Sequence, residues 1–264
     1  MIVKKTPSSL WTLPFPDLVS LLREALVKGL EEAPGRNCTI FFRADDIAVP
    51  GAMFAAMIRT FQTYHIPLCP ALVPTWLSTT RWNKIMELCG STPALWAWHQ
   101  HGWRHVNHET QGKNQEFGPG YPEEKKRNDL RRGMSRIREL AGDSFIPVFT
   151  PPWNRMDETT MNILTELGFR GISRSENARP AAPAHLPDLQ VNVDLHTRKE
   201  PLAHECLHNL LNELTRAVAT GRCGVMLHHQ RMNRTAVNGL ETLLKLVAGT
   251  PGLKPVHFGD LLEQ

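Results

Sequence analysis

The chain has 264 residues, 41% of them hydrophobic and 21% charged, with a formal net charge of +4. That is enough for one large domain or two small ones at an ordinary globular charge content, and no apolar run is long enough to span a bilayer. The mild positive charge suits an anionic substrate but argues little for nucleic acid, because Glu123, Glu124, Asp129 and Glu139 are mixed into the densest basic run, Lys125 to Arg138.

The N-terminal stretch carries Lys4 and Lys5, but Pro14 and Pro16 interrupt the apolar residues that follow. No secretory signal is read there, and the cytoplasm is the expected location. The five cysteines, Cys38, Cys69, Cys89, Cys206 and Cys223, are odd in number and widely spaced. Neither a disulfide framework nor a thiolate zinc site is favoured. Cys38, Cys69 and Cys223 lie in or beside apolar runs and read as small buried hydrophobes.

Residues 1–36 read as a helical extension, with Leu18, Leu21, Leu22, Leu26 and Leu30 on one face. Cys38 to Ala44 reads as a strand ending at Asp45-Asp46, followed by a helix from Gly51 to Tyr64. Pro67 to Val73 is a second strand and Thr79 to Cys89 a second helix. Ala94 to Trp98 is a third strand running into His99, and a polar loop then extends from His101 to Gly120. Glu123 to Leu140 is a helix, Phe145 to Phe149 a strand, and Asp157 to Leu167 a helix with Asp157 near its N-cap. Phe169 to Ser173 and Leu189 to Val193 are strands joined by a Pro/Ala-rich connector. A helix from Pro201 to Thr220 leads to the strand Cys223 to Leu227, and a last helix covers Thr235 to Ala248. Strand–helix alternation of this kind predicts an α/β fold with a parallel sheet or barrel, and about seven units suggest one irregular barrel over 37–264.

Polar residues gather where these strands end: Asp45-Asp46, His99-Gln-His101, Pro151-Pro152-Trp153, Asp194-Leu-His196 and His228-His229. In a parallel barrel those ends converge on one face, where active sites are built. His101 and His105 are spaced so that two imidazoles reach one ion, and a strand-end carboxylate completes a three-ligand zinc set with one position left for water. The adjacent carboxylates Asp45 and Asp46 repel unless something compensates. They are either an exposed helix-capping pair, or one ligates a metal while the other takes a proton from water beside it.

In order, these segments resemble the motifs of the polysaccharide deacetylase family, carbohydrate esterase family four. The family's Thr-Phe-Asp-Asp-Gly corresponds to Arg43-Ala44-Asp45-Asp46-Ile47, and its His-Ser/Thr-x-x-His to His101-Gly102-Trp103-Arg104-His105. Its Arg-x-Pro-x-Gly corresponds to Thr150-Pro151-Pro152-Trp153-Asn154, its Asp-containing segment to Val193-Asp194-Leu195, and its Leu-x-His to Met226-Leu227-His228. The resemblance spans Thr39 to Leu262 and implies a distorted (β/α)7 barrel in a metal-dependent deacetylase. It implies that Asp46, His101 and His105 hold one divalent ion, zinc being expected. Asp45 would be the general base and His228 the general acid, with Asp194 orienting that histidine and the amide of Trp153 holding the oxyanion. Trp103, Pro152 and His229 would contact substrate.

Two departures stand out. Thr150 occupies the place of the arginine that pairs with the base in the family, so Arg43 or Arg155 would have to supply that charge; Asn154 replaces a glycine. The last motif also fits one residue later, at Leu227-His228-His229, and strand alternation allows only one of the two histidines into the pocket. Trp103 and Trp153 either stack on a sugar or pack the rim, and His99 either supports the site or packs the core. His196, Arg198 and Lys199 are placed to bind an anionic group. The expected partner is a small molecule or oligosaccharide, with neither nucleic acid nor membrane; the oligomeric state stays open. The alternatives to a deacylase are a lyase or glycosidase on the same scaffold, which leaves His101 and His105 unexplained, and a catalytically inactive, metal-stabilised carbohydrate-binding protein.

Overall fold

The computed structural model describes residues 6–263. Residues 1–5 of the N-terminal extension therefore lie outside the described part. Seven parallel strands form the sheet: β1 (Cys38–Ile47), β2 (Cys69–Leu72), β3 (Trp98–His101), β4 (Phe145–Thr150), β5 (Gly171–Ile172), β6 (Val193–Asp194) and β7 (Arg222–Leu227). They are ordered β5-β4-β3-β2-β1-β7-β6. The segment leading into β6 closes the ring. On one side Leu189 and Val191 donate to the carbonyls of Ile172 and Arg174; on the other, Asn192 and Leu195 donate to Gly224 and Met226. The result is the expected distorted seven-stranded α/β barrel.

The helices cover its outside: α1 (Leu18–Glu32), α2 (Ala52–Tyr64), α3 (Thr79–Cys89), α4 (Glu123–Ala141), α5 (Glu158–Glu166), α6 (Ala203–Ala219) and α7 (Arg234–Gly249). Local chemistry fixes several starts. Ser78, Asp157 and Asn233 each accept a hydrogen bond from a backbone N–H in the first turn of α3, α5 and α7. On α1 the expected apolar face is turned inward, with Leu22, Leu26 and Leu30 buried and the helix lying against α6 and α7. No described helix is long and apolar enough to cross a membrane.

Two elements were not expected from the sequence. β8 (Leu253–Pro255) pairs with Cys38–Ile40 of β1, and α8 (Phe258–Leu262) follows it. Phe258 and Leu261 pack with Phe41, Cys69, Ala97, Val148 and Met226 in a separate apolar cluster. These are the inward residues of successive strands, so α8 stoppers one end of the barrel. Gly224 makes room there: a Cβ would meet the Phe41 ring at 2.4 Å.

One strand is displaced from its expected position. The apolar run after Pro93 forms a 3-10 turn at Pro93–Leu95, and β3 begins only at Trp98. His99, Gln100 and His101 are therefore strand residues, and all three are buried. The run Ala94-Leu-Trp-Ala-Trp is more apolar, but proline at its start favours the turn. β5 and β6 are also shorter than expected because much of their pairing is made through isolated bridges, Ile172 with Asp188 and Ser175 with Val191.

Phe258 is fully buried at the stoppered end. Phe258→Ala should lower unfolding free energy by about 3–5 kcal/mol in urea titrations. A loss below ~1 kcal/mol would show that α8 adds little to the barrel.

Candidate metal centre and active site

Strand alternation sorts β1 into two sets. Ile40, Phe42 and Ala44 face the helices and join the outer core, whereas Phe41 faces inward, two residues before Arg43 and four before Asp45. The barrel interior thus changes along its axis from apolar at Phe41 to charged at Arg43 and Asp45. Arg43 is 0% exposed. Its Nε donates to Asp45 Oδ1 at 2.8 Å and its Nη2 to Asp45 Oδ2 at 2.9 Å, a bidentate fork. Nη1 donates to the carbonyl and hydroxyl of Ser173, each at 2.9 Å, and Nη2 also donates to Asn154 Oδ1 at 2.7 Å. Burial alone would raise the Asp45 pKa, but the Arg43, His101 and His228 charges outweigh it and hold the carboxyl below its ordinary range. Arg155, the other candidate for this role, donates instead to the Asn114 carbonyl.

Both sequence departures belong to this arrangement. With the arginine on β1, position 150 is free for a threonine whose hydroxyl lies 3.0 Å from His99 Nε2. Asn154 has φ 59°, a left-handed conformation that asparagine tolerates, and its side chain accepts from Arg43. His99 is fully buried and neutral, its pKa pushed down to about 3 by burial.

Asp46, His101 and His105 come together at the top of this polar core. Their ligand atoms lie within 4.8 Å of one another. Asp46 Oδ1 is 3.4 Å from His101 Nε2 and 3.2 Å from His105 Nε2. Tetrahedral zinc with bonds near 2.0–2.1 Å separates its donors by about 3.4 Å, which the two separations from Asp46 Oδ1 match. His101 Nδ1 lies 2.9 Å from the Thr150 carbonyl and must donate to it, which leaves Nε2 as the ligand nitrogen. Burial works against a charged His101, yet the Asp46 hydrogen bond and the two carboxylates raise its pKa above the ordinary value. The same negative field favours a cation.

The loop carrying His105 is held by a residue that sequence reading passed over. Glu116 is 1% exposed, and its carboxylate accepts from the backbone N–H groups of Trp103, Arg104 and His105 at 3.1, 2.6 and 3.1 Å. Gly102, with φ +58°, lets the carboxylate approach; a Cβ there would sit 2.1 Å from Glu116 Oε2. A single acid in a polar loop gives no pattern by which to find it. Asp46 and His105 also have left-handed φ values, 62° and 59°.

His228 lines the cavity, with Nε2 4.0 Å from Asp45 Oδ2. His229 points the other way, 5% exposed, its ring centroid 5.6 Å from that of Phe54 on α2. The structure thus puts the expected substrate contact at His229 outside the cavity. The Asp194 carboxylate accepts from the N–H groups of His196 and Thr197 and from the Thr197 hydroxyl. The link to His228 runs through His196, whose Nδ1 accepts from the His228 N–H at 3.2 Å. His196 is fully buried, and burial pushes its pKa down to about 3. It cannot greet an anion, and neither can Arg198, which is tied to Glu213 and Glu200 at 2.7 Å each. Lys199 does line the cavity.

Trp153 lines the cavity, in a left-handed turn with φ 57° and its ring centroid 4.4 Å from that of His105. Trp103 does not. It is 6% exposed and lies beneath the Arg132 guanidinium, 4.9 Å from its ring centroid. Pro152 is buried against Gly102 rather than open to ligand. The cavity, about 480 Å³, is lined by Asp45, Asp46, His101, His105, Trp153 and His228 together with residues of four loops.

No protein-family model and no curated protein sequence matches the chain. Solved structures do. One is a Mycobacterium smegmatis protein assigned as a polysaccharide deacetylase, at 15% identity over 100% of this chain and 94% of that one, TM-score 0.65. The chain has the polysaccharide deacetylase fold. The PuuE allantoinase matches at 11% identity over 88% of this chain and 91% of its own, TM-score 0.61. A family 4 acetyl xylan esterase from Clostridium thermocellum, solved with a cobalt ion, matches at 12% identity over 85% and 90%, TM-score 0.55. At these identities the likeness establishes the fold and leaves the chemistry to the site itself.

Two outcomes test the site. Glu116→Gln should weaken divalent-metal binding about 10–100-fold, measured by competition with a chelating dye, because three backbone donors then lose their anionic acceptor; unchanged affinity would remove Glu116 from the account. His99 and His196 are neutral when folded but take a proton near pH 6.5 when unfolded. Between about pH 6.5 and 3 the unfolded chain binds more protons, so stability should fall with pH by up to ~1.4 kcal/mol per unit for each histidine. The urea midpoint of His196→Asn should fall less steeply than that of the parent over this range.

Proposed function

We propose that the protein is a metal-dependent hydrolase that removes an acyl group, acetyl above all, from an amide nitrogen on a sugar or related small molecule. The observation that carries this reading is the placement of the Asp46, His101 and His105 cluster beside an Arg43-held carboxylate, with a histidine on the same cavity wall. The nitrogen and oxygen donor set suits zinc, the ion we assign, although such sets accept other divalent metals.

When bound, the ion supplies Lewis acidity toward an acyl oxygen and lowers the pKa of water. Asp45 takes the proton from the water that attacks the acyl carbon. The Arg43 fork keeps Asp45 ionised and locks its rotamer, so its free lone pairs face one direction. The backbone N–H of Trp153 stabilises charge on the acyl oxygen. His228, whose Nε2 lies 4.0 Å from Asp45 Oδ2, gives its proton to the departing nitrogen. Asp194 and His196 set the position of His228 through its main chain.

The inactive-binder alternative drew its support from the missing arginine. The pairing of Arg43 with Asp45, from a strand other than that of Thr150, supports the active reading over it. A lyase or glycosidase reading gives no use for the two histidines at Asp46.

Acetate release from acetylated chitooligosaccharides and from an acetyl ester probe tests the reading, alongside metal analysis. One zinc per chain should be found and lost in His101→Ala. Asp45→Asn and His228→Gln should retain zinc while lowering kcat by about 10²–10⁴. Zinc-loaded protein with no turnover on either kind of substrate would overturn the hydrolase assignment; purified wild-type protein that takes up no divalent ion would overturn the metal site.

A further inference from the structure

Four cationic side chains line the cavity: Lys113, Arg155, Lys199 and Arg231. They come from four separate loops, those after β3, β4, β6 and β7. Among the described residues the only acids in the lining are Asp45 and Asp46, and both are engaged in the floor, with Arg43 and with the two histidines. No ion pair among the described residues includes any of the four cations. Arg155 and Arg231 are half-buried and donate only to main-chain carbonyls, of Asn114 and Thr6. Arg231 Nε is buried with no hydrogen-bond partner.

Like charges gathered round a concave, low-dielectric wall repel one another and focus a positive potential into the cavity. A divalent ion held by Asp46, His101 and His105 would add to that potential. The most buried arginines of the molecule are matched by carboxylates, Arg43 by Asp45, Arg174 by Asp188 and Arg198 by Glu213, whereas the half-buried Arg81 and Arg136, like Arg155 and Arg231, donate to main-chain carbonyls. What sets the cavity wall apart is four cations from four loops around one concavity, none of them paired with a carboxylate among the described residues. We propose that the missing anion is part of the substrate: the cavity takes an acylated sugar that carries its own anionic group, a phosphate ester or a carboxylate, near the acyl group. This rests on the hydrolase reading for the acyl group, though not for the anion. Arginine forks at 155 and 231 suit a planar or tetrahedral oxyanion, and the two lysines add charge without fixed geometry.

The test compares matched ligands on the zinc-loaded protein by titration calorimetry: N-acetylglucosamine, its 6-phosphate, and N-acetylmuramic acid, which carries a carboxylate. At least one anionic sugar should bind about tenfold or more tightly than the neutral one, and its advantage should shrink as salt rises. The phosphate and carboxylate arms tell which oxyanion is preferred. Lys113→Gln/Lys199→Gln changes two exposed residues and leaves the folded core untouched; Arg155→Gln/Arg231→Gln removes the two forks. Each pair should cut the anionic advantage several-fold. Equal binding of all three sugars, or an advantage that survives both double variants, would overturn the proposal. An anionic preference without acetate release would keep it and refute the hydrolase reading instead.

Discussion

A charged pair sealed inside a barrel is the constraint around which this molecule is arranged. Burying the Arg43 guanidinium and the Asp45 carboxylate removes two ions from water, and their mutual attraction compensates only if every remaining donor also finds an acceptor. Here Ser173 and Asn154 complete the set. Four strand ends are thereby pinned to one planar group: β1 through Arg43 and Asp45, the turn after β4 through Asn154, the end of β5 through Ser173, and β7 through Met226, whose sulfur lies 3.2 Å from Nη2. Taking away either charge would leave the other stranded. The pair is thus both the floor of the site and the reason its walls hold their spacing.

The site above it is held mostly by main-chain groups. The Thr150 carbonyl sets the His101 ring, three N–H groups on Glu116 set the His105 loop, and His196 holds the His228 main chain. Left-handed residues at Asp46, His105, Trp153 and Asn154 surround the same cavity. Backbone in that region costs on the order of 1–3 kcal/mol per residue and persists where the surroundings enforce it. Its concentration here marks the region as built for geometry rather than for stability.

Much of this was legible in the sequence. Strand–helix alternation gave the barrel, and polar residues at strand ends gave Asp46, His101, His105, Asp45 and His228, because parallel strands bring those ends to one face. What escaped was polar burial. His99 to His101 lie inside β3, whereas the more apolar Ala94 to Trp98 attracted the strand assignment; a barrel with a charged interior inverts the usual signal. Trp103 and His229 sit beside chemical residues in sequence but turn outward, since the chain leaves the strand there, in the bend after the left-handed Gly102 and in the 3-10 turn His229–Arg231. Glu116 and Ser173 act through contacts 11 to 13 and 130 residues away, respectively, and no local pattern reports such distances. β8 and α8 are too short for periodicity to register.

The α8 stopper determines the shape of what remains. With Phe258 and Leu261 filling one end of the barrel, and the Arg43 layer above them, the cavity is a cup rather than a tunnel. A polymer can lie across its lip but cannot be threaded through it. Traffic in both directions uses a single mouth, so whatever is lowered in, a chain end or a pendant group, must come back out the way it entered.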